Sequence, residues 1–255
     1  MKKKTKILTV SVIALLGVLI VAANVWRVKS PVRDIRVNIQ YDGADTLSTG
    51  VEVTESIRRA LPTLYSTHIG KVDLKAVERA SQSPYLRNCE AATSISGSVV
   101  LFAVQRRPIV RVFAGGEEFY LDDRGCKVPI SNIGSCNVIV ASGRIPLKGL
   151  GLKQVWKLAM YLDSHPDVAP LFDQIYRDEK GDLFLTPKMG NHVVQVGSED
   201  YLDEKFANLK VFYRKGLPQV GWDTYRQVSV KYHGQVVCRR RQAQPDIITQ
   251  PKNIN

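Results

Sequence analysis

Residues 86–108, LRNCEAATSISGSVVLFAVQRRP, carry the pattern from which the fold is read. Residues 86–95 read as a strand, Ser96, Gly97 and Ser98 as a tight turn, and residues 99–105 as the return strand. Pro108 lacks an amide donor, so it is expected to end strand pairing where the chain leaves one domain for the next. Working back, Pro84 stops a helix that Asp73 opens, its carboxylate accepting from the free amides of the first turn while Val72 and Val77 staple the entry. Val53, Ile57, Leu61 and Leu64 recur at steps of four, four and three, the spacing of one face of a helix, which Pro62 perturbs near its end. Ile35, Val37, Ile39 and Tyr41 alternate with Arg36, Asn38 and Gln40, as in a half-buried strand. The order over residues 33–112 is therefore strand, helix, helix, strand, strand.

Ahead of this block, Lys2, Lys3, Lys4 and Lys6 precede residues 7–26, twenty residues without a charge. As a helix they measure about 30 Å, the thickness of a bilayer's hydrocarbon core. The expectation is a cytoplasmic tail over 1–6, a transmembrane helix over 7–26 with Trp26 at the interface, and the bulk of the chain outside the cytoplasm. Arg27, Lys29, Arg33 and Arg36 compete with the lysines for the cytoplasmic side. The alternative is a signal peptide cut after Ala23, behind the small residues Ala22 and Ala23, and it exports the same soluble part.

Beyond residue 112 strand signals recur. Phe119, Tyr120 and Leu121 lead into Asp122, Asp123, Arg124 and Gly125, where the acids are read as turn-forming rather than catalytic. Leu152, Val155, Trp156, Ala159 and Leu162 make a helical stripe closed by Pro166. Residues 175–177 and 183–185 flank a turn at Gly181, and His192, Val194 and Val196 alternate up to Gly197. Phe206, Leu209 and Phe212 form a second apolar helical face. Tyr225, Val228, Val230 and Tyr232 then alternate as a closing strand that ends at His233 and Gly234, before residues 235–238 resume. Residues 242–255, rich in Gln, Pro and Asn, read as a disordered tail.

The chain's 255 residues are 44% hydrophobic and 24% charged, a globular composition. Six Lys or Arg and no acid lie in residues 1–30. Of the +12 net charge this leaves +6 for the remainder, half of it in Arg239, Arg240 and Arg241, so no concentrated phosphate-binding face is expected. Cys89, Cys126, Cys136 and Cys238 form no CxxC pair and have no His at zinc-ligand spacing. Outside the cytoplasm disulfides are permitted, and Cys126 and Cys136 enclose a segment with Pro129, Asn132 and Gly134 that can reverse direction; the alternative is four buried hydrophobic thiols. No GxSxG, HExxH, SxxK or P-loop is present, and Gly149, Leu150 and Gly151 are only a fragment of a dinucleotide fingerprint. Neither cofactor nor metal is expected.

The β, α, α, β, β order and the run Val104, Gln105, Arg106, Arg107, Pro108, Ile109 and Val110 resemble the POTRA module of the bacterial FtsQ/DivIB division family, whose pattern is hydrophobic, Glu, Arg, any residue, Pro. Here Gln105 stands for the usual acid. Phe119 to Gly125, Lys205 at a helix start, and Val228, Ser229, Val230, Lys231 and Tyr232 resemble later elements of that family, with Ser229 and Lys231 departing from its Asp and Arg. The resemblance covers residues 1–240. It implies an α+β protein with an N-terminal transmembrane helix (7–26), a POTRA domain (33–112), a β-rich domain with flanking helices (113–241) and a tail (242–255). It further implies a noncatalytic divisome scaffold of the inner membrane, single-pass with its bulk in the periplasm and enriched at the septum. Such a scaffold links early division proteins to septal wall synthesis by binding small coiled-coil partners like FtsB and FtsL, and other divisome proteins dock on its POTRA domain and span. The expected partner strand residues are Tyr225, Gln227, Val228, Ser229, Val230, Lys231, Tyr232 and Val236, by addition of a strand to a sheet edge, with Arg106, Arg107 and Pro108 as a docking exit. The alternatives are another POTRA-containing export or assembly protein and an envelope enzyme with a spatially assembled site.

Overall fold

A computed structural model describes residues 2–43 and 45–241, with the side chains of 2–10 and 27 excepted. The fold is mixed α+β, dominated by a large sheet, and the chain divides into two compact units. The first comprises 1–107 together with 128–137, and the second 108–127 with 138–255. The expected disordered tail over 242–255 lies outside the described residues.

The first unit starts with helix α1, Lys2–Lys29. Among the described residues no helix is long and apolar enough to cross a membrane, so the span expected over 7–26 is not borne out. Its positions 7–10 fall outside those whose side chains are described. Strand β1 (Ile35–Gln40) is followed by α2 (Gly50–Ala60), α3 (Leu74–Ala80), β2 (Leu86–Thr93) and β3 (Val99–Gln105). Helix α2 begins at a capping box: Glu52 donates its amide to Thr49 Oγ1, and Thr49 donates its own to Glu52 Oε2. Arg58 and Arg59 sit in its last turn, complementing the helix dipole, and Pro62 follows. Asp73 caps α3 as its side chain accepts from the Ala76 amide at 3.0 Å. The sheet order is β1-β3-β2, with β1 parallel and β2 antiparallel to β3. Val53, Ile57, Val77, Leu101 and Ala103 are among the residues that close the core between the helices and this sheet.

The second unit opens at β4 (Pro108–Ala114), not at 113. Pro108 pairs with Asp122 and so begins a strand rather than ending pairing, a position where a missing amide is tolerated. Strands β5 (Glu117–Asp122) and β6 (Lys127–Pro129) follow, then β7 (Ile139–Gly143), α4 (Leu150–Asp163), β8 (Phe172–Arg177), β9 (Leu183–Pro187) and β10 (Val193–Gly197). The chain closes with α5 (Leu202–Val211), a π-helical turn over Phe212–Gly216, α6 (Leu217–Val220), β11 (Tyr225–Ser229) and β12 (Val237–Arg240). The nine strands run in the order β12-β11-β10-β9-β8-β7-β4-β5-β6. Parallel neighbours β7/β8 and β10/β11 are joined through α4 and through α5 with α6, the crossovers that parallel pairing requires. Gly143 ends β7 at φ +99°, and a Cβ there would lie 2.3 Å from the Arg177 carbonyl oxygen, so only glycine fits. Ile175, Leu183, Leu185, Leu158 and Phe206 are fully buried in the core, each worth about 1.5–3 kcal/mol by area removed from water.

Candidate functional site

The expected closing edge is found inside the sheet. Strand β11 pairs in parallel with β10, Val194 opposite Val228, and antiparallel with β12, Val228 opposite Cys238. The outer strand is β12. The chain reverses because Gly234, at φ +66°, turns it after Tyr232, and Glu204 fastens that turn by accepting from the Gly234 amide at 2.8 Å and from His233 Nδ1 at 2.6 Å. Residues 235–236 therefore lead into a new strand, β12 from Val237, rather than resuming the old one. The His233–Gly234 pair was the signal for this, a turn dipeptide between two apolar runs.

The eight expected partner residues are accordingly dispersed in role. Val228 and Val230 are fully buried in the core, and Ser229 is buried as well. Tyr225 is half-buried, its ring 6.0 Å from that of Phe212, and Val236 packs against the same core. Gln227 Nε2 donates to Gln195 Oε1 at 2.7 Å, and Gln195 Nε2 donates to Asp182 Oδ2 at 2.9 Å. Lys231 Nζ donates to both Asp182 oxygens, at 2.9 and 2.7 Å, and that bond holds the ammonium above its ordinary pKa. Tyr232 is 56% exposed and lies beyond β11, which ends at Ser229.

Among the described residues, no strand pairs with the outer side of β12. Val237, Arg239 and Arg240 are exposed, and Cys238 packs inward. Arg241 donates its amide to the Thr224 carbonyl at 3.0 Å, so that pair is hydrogen-bonded across the ladder. Antiparallel alternation then turns the amide and carbonyl of Arg240, the next residue, away from β11 and toward the free side. The outer strand at this end of the sheet is thus basic with outward backbone groups, whereas the sequence reading expected the edge at β11.

Helix α5 supports this end of the sheet. Lys205 is 6% exposed, its ammonium lowered by burial, with Nζ donating to the Ser198 carbonyl at 2.8 Å. His192, 2% exposed, has Nε2 2.8 Å from Tyr213 Oη, and burial depresses its pKa.

The docking exit expected at Arg106, Arg107 and Pro108 is not an open basic patch. Arg106 is half-buried and its amide donates to Tyr85 O; Arg107 Nε lies 3.7 Å from Asp42, and Pro108 is buried in β4. Gln105 is 2% exposed and binds backbone: Oε1 accepts from the Leu47 and Ser48 amides at 2.7 and 3.3 Å, and Nε2 donates to Asp45 O at 2.9 Å. Asp122 has a backbone role too, its Oδ1 accepting from the Arg124 and Cys126 amides at 2.9 and 2.7 Å. Of the two readings left open for Cys126 and Cys136, the structure shows them without a disulfide between them. Cys126 is exposed in the turn after β5, whereas Cys136 is buried beside Asp45, which with burial pushes its thiol up to about 11. Among the described residues no three His, Cys, Asp or Glu side chains are placed to hold a metal ion.

No curated protein matches the chain. The family model described as FtsQ/DivIB, C-terminal related, matches residues 107–239, just over half of the sequence and the stretch from the start of β4 into β12. The chain belongs to this FtsQ/DivIB-related family of cell-division proteins.

Proposed function

We propose that the chain is a noncatalytic divisome scaffold, held at the inner membrane by α1 with its bulk in the periplasm, that captures a coiled-coil partner of the FtsB and FtsL kind by accepting a strand on β12 and so links early division proteins to septal wall synthesis. The observation that carries this reading is the outer side of β12, unpaired among the described residues, with the Arg240 backbone turned outward. Exposed Arg239 and Arg240 favour an acidic strand. The β, α, α, β, β order of the first unit supports a POTRA domain, which in this reading docks a neighbour near the membrane. The apolar run behind four lysines supports the anchor.

The test is partner capture from crosslinked cells by tagged protein, read by mass spectrometry. Arg240→Pro deletes an outward amide and should abolish capture, while Arg240→Ala, which keeps it, should weaken capture only modestly. Equal capture by both variants and the unaltered protein would sink the strand-addition mechanism. Protease added to spheroplasts should digest the chain beyond residue 30, whereas a mature N-terminus at Asn24 would end the anchor reading.

A further inference from the structure

A cavity lies in the second unit at the other end of the sheet from β12. It encloses about 490 Å³ between the turn that follows β5 and the first turn of α4. That volume is within the roughly 300–1,000 Å³ of ordinary ligand clefts. Its floor is apolar, made by Leu121, Leu147, Leu152 and the Trp156 indole. The indole is fixed: its Nε1 donates to the Asp122 carbonyl at 3.0 Å, and its ring lies against Gly125, where an added Cβ would meet Cε2 at 3.3 Å.

The rim is cationic without exception. Arg124, Lys127, Lys148 and Lys153 line it, and no acid does. Lys127 is engaged, 3.8 Å from Glu117 and 4.1 Å above the Phe119 ring. Arg124, Lys148 and Lys153 are exposed and form no ion pair among the described residues. An apolar floor ringed by unpaired cations complements a ligand that carries a bulky apolar group next to carboxylates.

We propose that this groove seats an acidic peptide segment of a partner protein, an aliphatic or aromatic side chain resting on the Trp156 floor while flanking carboxylates meet Arg124, Lys148 and Lys153. A protein segment fits better than an anionic membrane surface because the cations ring a discrete cavity, whereas the exported part of the chain carries only +6 and no broad basic face. The groove is separate from the β12 edge, so the two sites succeed or fail independently.

The full chain in detergent is titrated calorimetrically with the synthetic peptide acetyl-Glu-Asp-Leu-Phe-Glu-Asp-amide. Binding at one site is expected. The double variant Lys148→Glu, Lys153→Glu should weaken it at least about tenfold, and Lys148→Arg, Lys153→Arg should retain it, since each reversed pair changes an attraction into a repulsion. All four substitutions are at exposed positions, and an unchanged thermal midpoint verifies the fold. Arg240→Pro should leave this binding intact. The proposal is overturned if the peptide does not bind, if the glutamate variant binds it equally well, or if phosphatidylglycerol vesicles rather than the peptide show the Lys148 and Lys153 dependence.

Discussion

Gln105 illustrates how a side chain in a strand can be a structural clamp that composition does not reveal. The resemblance marks it only as an amide in place of an acid, yet its two ends serve three backbone groups of the loop over 45–48. Its Oε1 alone satisfies the amides of two buried residues, Leu47 and Ser48. Gln105→Leu would strand both donors, and unsatisfied buried groups cost about 1–3 kcal/mol each, so urea unfolding of the first unit should show a loss of about 2–4 kcal/mol. Gln105→Glu keeps the acceptor but buries a carboxylate with one oxygen facing the Asp45 carbonyl, so it too should destabilise the first unit. His192 lends itself to a pH argument. Burial lowers its folded pKa below the ordinary 6.5, so below pH 6.5 the unfolded chain takes up a proton that the folded chain resists. The stability held above pH 6.5 should therefore decline as pH falls from 6.5 toward the folded value. His192→Gln should flatten that part of the profile in urea midpoints measured from pH 7.5 to 4.5, and an unchanged slope would assign the decline to other groups. The Nδ1 atom of His192 has no hydrogen-bond partner among the described residues, consistent with a ring kept neutral.

At the scale of elements, the local signals were legible and the tertiary ones were not. Asp73 announces α3 because a cap acts within three residues, and the Ser96, Gly97, Ser98 turn announces the β2–β3 hairpin for the same reason. Which strand ends a sheet depends on partners far off in sequence, and β11 was misplaced on that account: β10 and β12 flank it on both sides. The β12 assignment also has a consequence for stability. Proline at 240 removes an amide that faces outward, so folding should lose under about 1 kcal/mol, as on edge strands generally. Proline at 241 removes the amide that donates to Thr224 O, so it should cost about 1–3 kcal/mol by urea denaturation. If Arg240→Pro is the more damaging of the two, the outward direction of that amide is wrong, and with it the strand-addition geometry.

For the whole molecule, the expected boundary near 112 moves to 107/108 because Ile109, Val110, Val112 and Ala114 all bury in the second unit's core. Alternation alone says that such residues are buried, not in which core. Equally illegible was the excursion of 128–137, which begins within β6 and yet belongs to the first unit. What holds it there is specific: Ser131 Oγ donates to the Leu47 carbonyl at 2.9 Å, and the Tyr85 hydroxyl donates to the Ile130 carbonyl at 3.2 Å. Leu47 is the residue whose amide Gln105 holds, so the excursion and the end of β3 grip one loop from its two backbone groups. A chain with two separate cores need not unfold in one step, and the loop assigns its own loss to one of them. Ser131→Ala leaves the buried Leu47 carbonyl without that donor and frees the Ile133 amide, which Ser131 Oγ also accepts at 3.1 Å. The substitution should destabilise the first unit by about 1–2 kcal/mol. Hydrogen exchange read by mass spectrometry should then quicken at the Leu47 and Ser48 amides while those of β8 and β9 keep their rates. Faster exchange in β8 and β9, with residues 45–50 unchanged, would instead make the 128–137 excursion part of the second unit's folding.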